Sequence, residues 1–291
     1  MPKTGKEAAF HRRVNQLAEL TAIGSSVRAI SLLMVILTLT FPTMIVQWIA
    51  LKFSPFCSRI LPLWYHRCIC RILGIRIHID GQIMQDRPVL VVSNHVSWID
   101  IPILSAVAPV SFIAKSEISS WPLISLLAKL QRSLFINRER KTDVGRVSSE
   151  MTKRFAYGDI LVLFAEGTTS DGNRVRPFRS ALMSSAFPKI SLDAQNALNE
   201  NYVEPTVQTL SLVYTHIHGV PLGREGRKIV AWYGEMNVVN HIWQLLKMGP
   251  IDVKISIGRP ISIGAYHDRK KLAQSTEQQV RARVVQILYG G

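Results

Sequence analysis

Cysteine is scarce in this chain of 291 residues: Cys57, Cys68 and Cys70 are the only three. They form no C-x-x-C pair and no histidine–cysteine cluster at zinc spacing, which excludes a disulfide scaffold and a metal knuckle. A reduced, cytosol-facing protein is therefore expected. There is no G-x-S-x-G elbow and no phosphate-cradling Walker loop, so neither a serine hydrolase nor a P-loop enzyme is indicated. Internal repeats and low-complexity tracts are missing too. Acidic residues are few, 20 against 35 lysines and arginines, leaving a formal charge of +15. That excess calls for an anionic neighbour, and nucleic acid, a phospholipid surface or an acidic partner protein would each serve; charge alone does not choose among them, and no nucleic-acid recognition motif accompanies it.

What the sequence has in quantity is apolar residues, 47% of the chain. Ala29 to Leu51 carries no charge, and as a helix it is long enough to cross about 30 Å of hydrocarbon. No small-residue cleavage site follows it, which argues against a signal peptide. Pro42 interrupts this span. From Phe53 to Ile75, apolar Leu61, Leu63, Trp64, Ile69, Ile72 and Leu73 alternate with Arg59, Arg67 and Arg71, a mixture that suits a helix lying at the interface with arginines reaching lipid phosphates. Basic residues flank the span on both sides, so charge does not orient it, and a helix pair dipping into one leaflet fits that symmetry.

Beyond residue 76, short apolar runs alternate with helical patterns. Strands are expected at 75–80, 89–93, 111–115, 133–136, 160–165, 209–214, 228–233 and 253–258, and helices near 101–107, 121–130, 141–157, 178–187, 238–248 and 270–289. The alternation implies a layered α/β domain with a largely parallel central sheet. Three parts follow: a basic N-terminal segment (1–28), a membrane anchor with an interfacial helix (29–75) and a catalytic-sized domain (76–291). A polar insertion is expected over 192–205.

Two strand exits carry chemistry. The run PVLVV empties into Asn94-His95-Val96-Ser97-Trp98-Ile99-Asp100, and ILVLFA empties into Glu166-Gly167-Thr168-Thr169-Ser170. Ligands of open α/β sheets bind beyond the carboxyl ends of the strands, where both exits fall. The spacing lets the Asp100 carboxylate fold back onto one imidazole nitrogen of His95, leaving the other as a general base. Spacing alone is weak, since eight histidines and twenty acids supply about half a His-x4-acid pair by chance. The plainer alternatives are a helix-capping Asp100 and a structural His95. For the second exit the plain alternative is a turn, though a carboxylate at the end of a buried run fits that poorly.

Together, NHVSWID and FAEGTTS resemble the first and third motifs of the glycerolipid acyltransferase family. RSLFINR (132–138) and VQTLSLVY (207–214) are weaker matches to its second and fourth. The resemblance spans about residues 75 to 260. It implies a lysolipid O-acyltransferase in which His95 takes the proton of an acceptor hydroxyl, Asp100 orients His95, and the hydroxyl attacks an acyl thioester. Asn94, Arg138, Glu166, Gly167, Thr168 and Thr169 would contribute to substrate binding. No cofactor or metal is implied, because the thioester, on acyl carrier protein or coenzyme A, brings its own activation. The other partners implied are a lysolipid acceptor and anionic membrane lipids, with no nucleic acid. The place implied is a membrane, at the cytoplasmic face of the bacterial inner membrane.

This chain departs from the family where Ala165 replaces a proline and Thr169 an arginine that faces phosphate; Arg132, Asn137 and Thr209 are departures in the other motifs. Without that arginine, selection for a phosphate monoester weakens. EGTTSDGNR is similar to the form found in bacterial acyltransferases that complete ornithine lipids, whose acceptor carries no phosphate. Arg174, Arg176 and Arg179 lie just downstream and offer a replacement contact, which keeps 1-acylglycerol-3-phosphate open as acceptor. The rival reading is an inactive lipid-binding protein on the same fold.

Overall fold

The computed structural model describes residues 5–116, 120–136, 141–186, 205–262 and 268–290. Two helices come first, α1 (Gly5–Phe53) and α2 (Pro55–Leu73). The remaining elements are β1 (Ile75–Asp80), β2 (Val89–Ser93), α3 (Asp100–Val107), β3 (Val110–Lys115), α4 (Pro122–Leu130), β4 (Leu134–Ile136), α5 (Lys141–Ala156), β5 (Ile160–Phe164) and α6 (Ser180–Ala186). They are followed by β6 (Thr206–Ile217), β7 (Val220–Pro221), α7 (Arg224–Val230), α8 (Val238–Lys247), β8 (Ile251–Ile257), β9 (Ile261–Ser262) and α9 (Arg269–Tyr289).

Strand order is β1-β8-β6-β2-β5-β3-β4, with β7 and β9 paired to β6. Every neighbouring pair along that order is parallel except β6 with β8, so the sheet is largely parallel, as the sequence pattern implies. Its inner strands β2 and β5 read as nearly unbroken apolar runs because both faces are covered. On β2, Val89 and Val91 face one core with Ile103, Leu104, Val230 and Leu245. Leu90 and Val92 face the other, with Met151, Phe155, Leu182, Val280 and Val284.

The placement of β2 beside β5 brings the two strand exits together. Their register pairs Ser93 with Phe164, so His95 and Glu166 leave the same edge two residues later. Ala165 N–H then donates to the Ser93 carbonyl at 3.3 Å, extending the pairing into the loops.

The strand expected at 228–233 is not formed. Residues Arg224–Val230 make helix α7, and only Ala231 to Tyr233 continue without helix. The reason is local: Glu225 in the first turn and Arg227 and Lys228 in the last complement the helix dipole, and one side of the turn buries Arg227 and Val230 while Ile229 stays exposed. The sixth expected strand is longer than its apolar core suggested, since Thr206 to Ile217 pairs on both sides. Of the insertion expected at 192–205, all but Pro205 lies outside the described residues.

Helix α1 runs through Pro42 without a break. Its Ser25–Phe53 part is long and apolar enough to cross a bilayer, with a mean hydropathy of 2.3. Thr38, Thr40 and Thr43 each donate a hydroxyl to the carbonyl four residues back, at 2.8, 2.6 and 2.7 Å, which satisfies the hydroxyls within the helix. Helix α2 begins at a Ser54 cap with Pro55 in its first turn and ends at Gly74, whose φ of 74° is the left-handed conformation a glycine adopts freely. Phe56, Ile60 and Trp64 stay exposed on α2. Two of its arginines, expected to reach lipid phosphates, turn inward: Arg59 pairs with Asp159 at 3.0 Å and Arg67 donates to the Ala106 carbonyl at 2.9 Å.

Candidate active site

His95 leaves β2 at the carboxyl edge, and its Nδ1 lies 2.7 Å from Asp100 Oδ2. Asp100 opens α3 and is fully buried. The same Oδ2 accepts the backbone N–H groups of Val96 at 2.7 Å and Ser97 at 3.0 Å, and Oδ1 accepts the Tyr214 hydroxyl. Four donors thus converge on one carboxylate. A carboxylate facing Nδ1 holds the proton there and leaves Nε2 with its lone pair. No described residue hydrogen-bonds Nε2, and the His95 side chain keeps 16% of its surface exposed. Phe164 stacks on the ring at 3.8 Å between centroids, fixing its plane. The arrangement is an imidazole held at Nδ1 and stacked on one face, with Nε2 open, which is what a general base requires.

Tyr214 was not apparent from the sequence. Its hydroxyl is buried beside Asp100; burial first, and the Asp100 charge second, raise its pKa well above the ordinary value, so it stays a donor. The available signal was a tyrosine within an aliphatic strand, because a buried phenol needs a partner.

The second loop is tied to the first through the backbone. Glu166 Oε1 accepts His95 N–H at 3.0 Å and Oε2 accepts Arg176 N–H at 3.1 Å. From the other side, Ser170 N–H donates to the His95 carbonyl at 2.9 Å, and its hydroxyl does so at 3.2 Å. Burial pushes the Glu166 carboxyl up to about 8, against the pull of its two N–H donors and the nearby Arg176 charge. Gly167, at φ 72°, turns the chain where a side chain would be strained.

The expected substrate contacts divide. Asn94 is buried and its amide is committed to β6, donating to the Leu212 carbonyl and accepting Leu212 N–H, both at 2.9 Å. Glu166 has both oxygens on backbone N–H groups and is 1% exposed. Thr169 is buried, whereas Thr168 is half-buried and nearer solvent. Arg174, Arg176 and Arg179 are exposed beside this loop. Arg138 lies outside the described residues.

Comparison with known proteins bears on this geometry. The Acyltransferase family model matches residues 74–189. The lyso-ornithine lipid O-acyltransferase of Brucella abortus is 42% identical over 244 residues, covering 84% of this chain and 89% of that one. This chain belongs to the acyltransferase family. The Rhizobium meliloti lyso-ornithine lipid O-acyltransferase is 38% identical across 89% of this chain and 85% of its own. A 1-acyl-sn-glycerol-3-phosphate acyltransferase of Neisseria gonorrhoeae is 30% identical over 67% of this chain and 69% of its own. The crystal structure of the 1-acyl-sn-glycerophosphate acyltransferase of Thermotoga maritima shares the fold, with a TM-score of 0.54 at 22% identity over 90% of this chain and 98% of that one. The enzyme class expected from the two motifs is therefore correct, and so is the α/β fold with its largely parallel sheet.

Proposed function

We propose that this acyltransferase moves a fatty acyl group from a thioester to the hydroxyl of a lysolipid, with His95 as general base and Asp100 as the group that orients it. The observation that carries this reading is the His95 Nδ1 to Asp100 contact at 2.7 Å with Nε2 left open at the sheet edge. His95 Nε2 accepts the hydroxyl proton while the acceptor oxygen forms a bond to the thioester carbonyl carbon. The carbon–sulfur bond then breaks, and the departing thiolate takes the proton back from the imidazolium. A positioned imidazole contributes about 10²- to 10⁴-fold to such a step. No enzyme nucleophile is needed, because the acceptor attacks directly.

For the acceptor we favour lyso-ornithine lipid. The relatives of that name are 42% and 38% identical to this chain, against 30% for the glycerol-phosphate enzyme of Neisseria gonorrhoeae and 22% for that of Thermotoga maritima. Position 169, where a phosphate-facing arginine would stand, holds a buried threonine here. Thr168 and the guanidinium groups of Arg174, Arg176 and Arg179 are the groups on and beside this loop left to meet a head group, while Asn94, Glu166 and Gly167 hold the loop's shape. Arg138 remains part of this proposal by resemblance alone.

The donor is acyl carrier protein or coenzyme A thioester, and the excess of basic charge suits the acidic carrier. We place residues 76–291 as the catalytic domain and 29–75 as a membrane anchor, at the cytoplasmic face of the bacterial inner membrane. Helix α1 meets the catalytic domain at two distant points: the Arg28 guanidinium on the Leu246 and Met248 carbonyls, and Gln47 Nε2 on the Leu130 carbonyl at 2.8 Å. Those points are separated by about 28 Å of helix at 1.5 Å per residue. A helix standing through the bilayer would meet the domain at one end only, so α1 lies along it, with Met34, Phe41, Ile45 and Trp48 turned outward into one leaflet.

The deciding assay supplies purified enzyme with labelled acyl thioester and both acceptors in parallel. Turnover of lyso-ornithine lipid is expected; turnover of 1-acylglycerol-3-phosphate alone would end that choice of acceptor. Release of free fatty acid without transfer would instead make the enzyme a thioesterase.

A further inference from the structure

We infer that His241 is a positioning residue for the catalytic loop and acts through Trp98. The inference rests on the reading of His95 as the general base. Trp98 stands midway between His95 and Asp100, and its indole N–H donates to His241 Nδ1 at 2.9 Å. Among the described residues it is the one hydrogen bond that joins the motif to a side chain of α8.

Two observations favour position over packing. His241 is 5% exposed, yet among the described residues its Nε2 makes no hydrogen bond of good geometry, although the Ile229 and Ala231 carbonyls lie close to the ring. A buried unsatisfied donor costs stability, and an apolar pair in place of His241 and Trp98 would avoid that cost. Burial lowers the pKa of His241, so the ring is neutral at ordinary pH and its Nδ1 lone pair is available to the indole.

Helix α8 is itself held at both ends. The Asn237 side chain accepts Val239 N–H at 3.0 Å and Asn240 N–H at 3.1 Å, and Arg28 of the anchor helix caps the carbonyls of Leu246 and Met248. His241 therefore stands on a fixed post that reaches the membrane helix. The inner side of the catalytic loop is tied down by Asp100 and by Trp232 N–H on the Val96 carbonyl at 3.0 Å. The indole is the fastening on its outer side. Losing it lets the segment that carries both dyad members shift, and misplacement by about 1 Å costs up to 10²-fold in rate.

The test uses the full-length enzyme with acyl thioester and lysolipid, and compares His241→Leu, His241→Asn, Trp98→Phe and the Trp98→Phe/His241→Leu double variant. His241→Leu and Trp98→Phe are each expected to lower kcat about tenfold with the thioester KM unchanged. The double variant should be no slower than either single one, because one contact is removed in all three. It should also melt no lower than the parent, since neither partner is then left buried and unpaired. Asparagine places an amide oxygen where Nδ1 stands, so His241→Asn should recover most of the rate. Parental kcat in His241→Leu beside an inactive His95→Ala overturns the positioning role, as does equal loss in the Asn and Leu variants. An active His95→Ala overturns the reading of the base instead.

Discussion

Two carboxylates lie buried at the same sheet edge, and they are used differently. Asp100 gathers an imidazole, a phenol and two backbone N–H groups. Among the described residues Glu166 gathers only two backbone N–H groups, and burial carries it up to about 8. The first holds a ring whose far nitrogen has no partner among the described residues; the second holds the backbone on which that ring is mounted. Burial alone does not mark a catalytic acid: what a buried carboxylate does is read from what donates to it.

The comparison breaks most visibly at the dyad. His95→Ala should lose about 10³-fold or more in kcat with the fold retained, and Asp100→Asn about 10²-fold or more, because the amide no longer fixes the tautomer. Circular dichroism and acyl-transfer rates on the same samples check both. A smaller effect is expected at the phenol: Tyr214→Phe removes one of four donors from Asp100 and should slow transfer by about tenfold, the equivalent of ~1.5 kcal/mol, the lower end for a hydrogen bond to a charged group, because three donors remain. Loss as large as that of Asp100→Asn would mean that the phenol, rather than the backbone, holds the carboxylate.

Glu166→Gln sharpens the other half. The folded-state pKa is raised from 4.5 to about 8, so the folded protein binds the extra proton. Its contribution is fully present below the ordinary value and is lost as pH rises toward about 8. Thermal melting from acid to mildly alkaline pH should show the parent losing stability relative to Glu166→Gln across that window, while transfer rates differ by only a few-fold. An unchanged pH dependence of melting would show that Glu166 is not held protonated.

The sequence made some of this legible and hid the rest for physical reasons. Strands β2 and β5 were visible because both of their faces are covered, which writes continuous apolar runs. His95 and Asp100 were visible because they lie four residues apart in one loop, so a local pattern records their contact. Tyr214 and His241 meet that loop only through sheet register and helix packing, 114 and 143 residues from their partners, and no spacing encodes that. Asn94 was read as a substrate contact because it adjoins His95, yet the register with β6 gives its amide a backbone partner on each side. Helix α7 was read as a strand because KIVAWY is apolar by composition, whereas the charges at its two ends decided the backbone.

The tautomer of His95 is the most direct test of the mechanism. Nitrogen NMR on enzyme with labelled histidine, recorded at a pH where the ring is neutral and assigned with the His95→Ala variant, distinguishes Nδ1–H from Nε2–H. The contact with Asp100 predicts a proton on Nδ1 and a bare Nε2, with the preference lost in Asp100→Asn. A neutral ring protonated on Nε2 would leave no base facing the acceptor, and the proposed proton transfer could not occur.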